Sequence, residues 1–318
     1  MQVNAKKNIL KYANVILLAV MIVIAAVATD SFFSVRNLMN ILRQISILGL
    51  LAMGMTFVIL VGHMDLSAGA VMTFTGIIAI SFQQFMPPMM AIVCALGVGL
   101  LAGLLNGAIV VATKANSGES LMLTLGTQMV FAALSLLYTG GFTLEGSESE
   151  FFNNIGAGMV GKVPVPVILF LACCAVLAVL QRTTRFGRSV QMVGYNAEAA
   201  RLSGIKNGRI KILCYMMGGL MAALAAVVLS SRTLGASPTA GDGYEMDAIT
   251  AIVLGGTSLA GGAGGIVQTL VGLLIVGVLG NMMNMAGFEA FDQMIVKGCV
   301  MILAVALDVL KRRQLAKA

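Results

Sequence analysis

The residues "GAGMVGKV", Gly156–Val163, come nearest in this chain to a recognisable chemistry. The spacing G-x-x-x-x-G-K is that of a loop whose backbone N–H groups cradle phosphates while its Lys reaches the terminal ones. Such a loop also needs Ser or Thr after the Lys to hold magnesium, and Val163 stands there. "VPVP", 163–166, follows at once, so a helix is not expected to start cleanly behind it. We read the match as a chance product of a glycine-rich chain with no nucleotide site of its own. Metal chemistry fares no better. His63 is the single histidine, and Cys94, Cys173, Cys174, Cys214 and Cys299 all fall in apolar runs without a C-x-x-C, as small buried hydrophobes do. No nucleophile–base pair or metal constellation stands out, so no catalytic residue, metal or cofactor is expected.

Two carboxylates lie where the chain is otherwise greasy: Asp65 in "VILVGHMDLSAGA" (58–70) and Asp247 in "GYEMDAITAIVLGGTSLAGGAGG" (243–265). A carboxylate in a membrane segment is a functional candidate by default. Each is equally placed to cap a following helix. Ile59, Gly62, Leu66 and Gly69 each find an identical residue 193 positions later, at Ile252, Gly255, Leu259 and Gly262. Two related half-motifs and coincidence in a Gly- and Ile-rich chain both remain open. In "GLLAGLLNG", Gly99, Gly103 and Gly107 make one flat helix face suited to close helix contact in lipid, with Asn106 placed for an interhelical hydrogen bond.

The stretch "NAEAARLSGI", 196–205, has the clearest local mechanics. Asn196 is a good N-cap, Glu198 and Arg201 suit the two ends of a helix dipole, and Gly204 is a natural stop. This predicts a two-turn helix over 197–203. So short a helix is not stable alone in water, so it must dock against something. Ala199 and Ala200 keep a surface flat for that partner.

The elements that must hold these residues follow from composition. Of 318 residues, 59% are hydrophobic and only 10% charged, against about 25% charged in soluble domains. This is an all-α integral membrane protein, one polytopic bundle over 1–318. A crossing needs about 20 mostly apolar residues. The runs 12–29, 45–62, 70–86, 88–112, 121–138, 163–181, 212–231, 247–260, 264–285 and 295–310 meet or approach that, the eighth being weakened by its glycines. The stretch 31–44 reads as an interfacial helix.

Basic residues concentrate on the cytoplasmic side. Lys6, Lys7 and Lys11 mark the N-terminus, Lys311, Arg312, Arg313 and Lys317 the tail, and the loop 182–211 carries seven basic residues against one acid, Glu198. Parity then requires about ten crossings, with both termini cytoplasmic and 139–162, with Glu145, Glu148 and Glu150, outside. The net charge of +7 is thus orientation information, not a nucleic-acid patch.

Three long segments, in order, resemble one family. "GMTFVILVGHMDLSAGA", "FGRSVQMVGYNAEAARLSGI" and "GDGYEMDAITAIVLGGTSLAGGAGG" are similar to the permease subunits of bacterial ribose-type ABC sugar importers, the second to their cytoplasmic coupling loop. The resemblance implies a homodimeric, multi-pass permease of the bacterial cytoplasmic membrane. It would be fed by an extracytoplasmic sugar-binding protein and driven by a separate ABC ATPase. Asn196, Glu198, Ala199, Ala200, Arg201, Leu202 and Gly204 would form the ATPase contact. Asp65, Ser67, Thr257 and Ser258 are the candidates along the path. The chain departs from the family at His63–Met64, usually Gly-Ile, and at Glu119 in "SGESLMLTLG". The same machine with a nucleoside or amino acid as cargo, and an ion-driven secondary transporter, are the alternatives.

Overall fold

The computed structural model describes residues 2–28, 31–146 and 149–315. Glu148 and Lys317 therefore lie outside the described residues. The chain runs α1 (Gln2–Ala28), α2 (Val35–Leu60), α3 (Ala68–Ser81, extended by a 3-10 turn, Phe82–Gln84), α4 (Pro88–Ala112), α5 (Ser117–Thr139), β1 (Leu144–Glu145) and α6 (Glu150–Ala157). The short hairpin β2 (Met159–Val160) and β3 (Val163–Pro164) leads into α7 (Val165–Thr183), α8 (Arg185–Tyr195) and α9 (Ala197–Leu202). Then come α10 (Asn207–Thr233), β4 (Gly235–Ala236), α11 (Tyr244–Leu254), α12 (Ile266–Met285) and α13 (Ala290–Leu315). The only extended pairings among the described residues are the antiparallel pieces β1–β4 and β2–β3.

Among the described residues, six helices are long and apolar enough to cross a membrane: α2, α4, α5, α7, α10 and α12. Shorter apolar helices accompany them at 14–27 and 68–84. The buried share separates centre from rim. Most of the apolar window of α2 is buried (83%), whereas that of α5 is mostly bare (22%). Hence α2 is the axle of the bundle, and α5 presents Met122, Met129, Val130 and Leu137 outward.

Glycine sets the closest approach. A methyl on Gly99 would lie 2.5 Å from the carbonyl oxygen of Gly219, and one on Gly103 would strike the carbonyl of Tyr215. The flat face read from "GLLAGLLNG" is therefore the seam between α4 and α10. Asn106 makes the interhelical bond assigned to it, donating through Nδ2 to Ser67 Oγ at 2.7 Å.

Three expectations need correcting. Residues 31–44 do not form a separate interfacial helix. Ser34 caps a helix that starts at Val35 and runs unbroken to Leu60, and its polar residues serve helix contacts, Asn37 and Asn281 exchanging amide bonds at 3.0 and 2.7 Å. The prolines of "VPVP" do not block α7, which starts at Val165 with Pro166 in its first turn, where a missing N–H costs nothing. The run 247–260 is not one helix. α11 has 11 residues, about 16 Å at 1.5 Å per residue, half of the roughly 30 Å hydrocarbon layer. The glycines 255–265 that follow form a loop, because Gly256, Gly261, Gly262, Gly264 and Gly265 all take positive φ.

Candidate functional site: the helix breaks and the helical loop that covers them

The basic segment 182–211 is mostly helical rather than loop-like. Thr184 caps α8, accepting from the Gly187 N–H at 3.2 Å. Asn196 then ends α8 and caps α9, its Oδ1 accepting from the N–H groups of Glu198 and Ala199, both at 3.0 Å. Ser203 closes α9, and Gly204 takes φ +83°, as a helix stop of this type requires. The two-turn helix is thus where its caps place it. Glu198 and Arg201, read as dipole partners, also bind each other at 2.6 Å. The hydrogen bond from Arg201 holds the Glu198 carboxyl below its ordinary range.

The structure divides the two alanines. Ala200 is buried (1% exposed), whereas Ala199 faces outward with Tyr195 and Leu202, which are 85% and 75% exposed. A shallow pocket of about 300 Å³ runs along this face, lined by Met192, Tyr195, Asn196, Ala199, Ala200 and Gly262. Ala199 is the exposed alanine of the pair, and Ala200 packs into the bundle below it.

What α8 rests on is the junction of two interrupted helices. α2 stops at Leu60, where Gly62 (φ +79°) donates to the Ile59 carbonyl at 2.9 Å and His63 to that of Val58 at 3.2 Å. α11 stops at Leu254, where Gly256 (φ +98°) donates to Val253 at 2.9 Å and Thr257 to Ile252 at 3.1 Å. These are the same C-terminal hydrogen-bond pattern. They superpose at an offset of 194, pairing Thr56 with Thr250, Leu60 with Leu254 and Gly62 with Gly256. The identities at 193 are therefore one residue out of register with the structural correspondence. The breaks touch directly: the Gly262 N–H donates to the Leu60 carbonyl at 2.9 Å, satisfying an acceptor that a helix end leaves open. Gly194 of α8 sits on that joint, with no room for a methyl against the Leu60 carbonyl and only 2.5 Å from Gly262 N.

Each expected path residue lies in one of these breaks. Asp65 does not cap a helix at Leu66. Its Oδ1 accepts from the N–H and Oγ of Ser67 at 2.9 and 2.6 Å, ahead of a helix that starts at Ala68. Thr257 Oγ1 accepts from Gly265 N–H at 3.1 Å, and Ser258 Oγ from Ala260 N–H at 3.3 Å. Asp247 is no cap either. It lies one turn inside α11 and receives Lys297 Nζ at 2.6 Å. The phosphate-loop lookalike ends in the β2–β3 hairpin, with Lys162 at its exposed tip.

The family described as "Branched-chain amino acid transport system / permease component" matches residues 37–305. The chain belongs to this permease family. The permease is 42% identical to the ribose import permease protein RbsC of Bacillus subtilis, over 92% of its own length and 90% of that protein. It is 40% identical to the protein of the same name in Escherichia coli, over 95% of both chains. To the L-arabinose transport system permease protein AraH of Escherichia coli it is 32% identical, over 95% of its length and 92% of that protein. No solved structure matches it.

Two residues of this permease, Gln181 and Glu245, escaped the sequence reading, and a third, Glu119, was singled out there without its role. Gln181, at the end of α7, clamps the second break: its Nε2 donates to the Gly264 carbonyl at 3.0 Å and its Oε1 accepts from the Ile266 N–H at 2.9 Å, capping α12. Nothing local announces it, because the bonds span 83 and 85 residues. Glu245 is buried (5% exposed) with Oε2 unbonded, and a methyl on Gly69 would strike it. Its membrane setting was the available signal. Glu119 forms a capping box with Asn116, giving and taking bonds of 3.0 and 2.8 Å. The N-x-x-E pattern of 116–119 was legible, and it explains this departure from the family. At the other departure, His63 packs against Tyr215, whose hydroxyl donates to the Met64 carbonyl at 3.1 Å.

Proposed function

We propose that this permease is the membrane-spanning subunit of an ABC importer for a monosaccharide, pentoses first among them. It works in the bacterial cytoplasmic membrane as a homodimer crossing about ten times. Both termini and α8–α9 face the cytoplasm, and the β2–β3 hairpin faces outside. A separate ATPase binds α9, and an extracytoplasmic sugar-binding protein delivers the solute. The observation that carries the reading is the capped, outward-facing α9 on a helix seated over both breaks. ATP-driven movement of the ATPase would pull α9, and α8 would carry the pull to Leu60 and Gly262. The breaks, with Asp65, Ser67, Thr257 and Ser258, then form the inner mouth of the path. The pentose assignment rests on the relatives named for ribose and arabinose. The absence of Trp among 318 residues leaves tight sugar capture to the binding protein.

The test is uptake of labelled D-ribose and L-arabinose by cells carrying the complete transporter, beside recovery of the ATPase with the permease. Ala199→Arg overfills a close contact, which costs about 1–3 kcal/mol. At about 1.4 kcal/mol per factor of ten, ATPase association weakens roughly ten- to hundredfold at unchanged membrane abundance. Gly204→Val weakens it too, since a β-branched residue resists the left-handed turn. Uptake that survives loss of the ATPase but collapses with the proton or sodium gradient rejects the reading in favour of a secondary transporter. An impermeant thiol reagent should label Lys162→Cys in intact cells and spare Lys206→Cys.

A further inference from the structure

At the end of the bundle away from α8 lies a pocket of about 300 Å³ between α2, α11, α12 and α13, capped by the end of α10. Its remoteness follows from the helices. Gln44 precedes Leu60 by 16 residues on α2, about 24 Å at 1.5 Å per residue. Arg232 stands at the far end of α10 from Asn207. Six side chains give the pocket its character: Gln44, Arg232, Tyr244, Asp247, Gln293 and Lys297. Asp247 and Lys297 pair at 2.6 Å with their side chains 25% and 36% exposed, so the pair opens into the pocket. Gln44 is exposed and makes no side-chain hydrogen bond among the described residues. Arg232 is likewise exposed, with no ion-pair partner among the described residues.

Lipid does not explain these groups. Charged side chains at membrane depth face a bundle interior or a wet cavity and pair with one another or with a solute. An amide, a guanidinium and a phenol around an open ion pair offer several donors and acceptors to a small neutral solute rich in hydroxyls. The aromatic ring of Tyr244 supplies one apolar wall. The volume of about 300 Å³ sits at the lower end of small-molecule sites, roughly 300–1,000 Å³, and is enough for one monosaccharide. Asp247 offsets Lys297, and Arg232 leaves the set one positive charge in excess, with guanidinium N–H groups that can donate to hydroxyl oxygens.

We propose that this pocket is a low-affinity docking site for the sugar on its way from the binding protein to the inner mouth; the proposal rests on the sugar-importer reading. The test uses the assembled permease–ATPase complex in proteoliposomes, with the native cysteines replaced and Gln44→Cys introduced. A hydrophilic maleimide labels that position, and about 100 mM D-ribose, a saturating level for a site of roughly millimolar affinity, should slow labelling at least threefold. Glycine betaine at equal osmolarity should not slow it. In cells, Gln44→Leu, a mild change on an exposed helix position, should lower D-ribose uptake about tenfold while membrane abundance and ATPase recovery stay normal. Equal labelling in ribose and betaine, or wild-type uptake by Gln44→Leu, overturns the pocket alone. A wild-type transporter that imports no sugar overturns the sugar-importer reading instead.

Discussion

The two helix breaks end in the same hydrogen-bond pattern but are held by different means. The first, 61–67, is braced by its own Asp65 and by side chains of α4, α5 and α10. Asp65, Ser67 and Asn106 form one buried polar cluster, Thr124 accepts from the Leu66 N–H at 3.1 Å, and Tyr215 bonds the Met64 carbonyl. The second, 255–265, is largely glycine and is held from outside, by Gln181 at the end of α7 and by α8 against Gly262. A turn tied by side chains to three other helices keeps its shape when one neighbour moves. A turn of glycines, closed by the local bonds of Thr257 and Ser258 and tied to a distant helix by one amide, follows that amide. The permease thus has one fixed break and one steered break, and the steering arm is the helix that leads into the basic segment.

The comparison breaks most visibly at the joint. Gly194→Ala puts a methyl into the Leu60 carbonyl and crowds Gly262 N, so α8 must lift from both breaks at once. Overpacking of this kind costs about 1–3 kcal/mol, and more where backbone cannot yield. Sugar uptake per permease in the membrane should fall at least tenfold. Unchanged uptake would mean that α8 carries no motion.

The second prediction sets two amide-to-leucine changes against each other. Gln181→Leu strands the half-buried Gly264 carbonyl and the buried Ile266 N–H, the latter a loss of partner that costs about 1–3 kcal/mol. Amide exchange at 262–266 should rise roughly ten- to hundredfold, with 61–67 unmoved. Asn106→Leu should do far less. Ser67 keeps its bond to Asp65, and the Asn106 Oδ1 that has no partner leaves with the substitution. Exchange at 61–67 should change by less than about tenfold, since replacing a half-satisfied polar group by an apolar one is close to neutral. Equal effects at the two sites would erase the distinction between braced and steered.

The smallest expected effect concerns α9. Because Arg201 depresses the Glu198 carboxyl in the folded loop, the stabilisation is present above the ordinary carboxylate range and is lost as pH falls through the lowered value. Binding of the ATPase should therefore weaken slightly as the buffer is taken from neutral to acidic, and Glu198→Gln should flatten that slope. Both groups are exposed, so high salt should mask most of the difference.

Composition alone put the chain in a membrane, because 10% charge cannot cover a soluble surface. Apolar runs placed the long helices, and the small-residue spacing placed the α4–α10 seam. Asn196, Gly204 and the Asn116–Glu119 box act on backbone groups at most five residues away, so the helices they bound are written locally. The tertiary structure decided the rest. It shortened α11 to a half-length helix, since hydropathy sees apolar glycines but not their positive φ. It turned Ala200 inward and Ala199 outward, which no spacing of two adjacent alanines predicts. It joined Gln181 to Gly264 and Ile266, 83 and 85 residues away, and Asp247 to Lys297, 50 residues away. A hydrogen bond forms only between atoms about 3 Å apart, and along the chain nothing records which distant segments packing will bring within that reach.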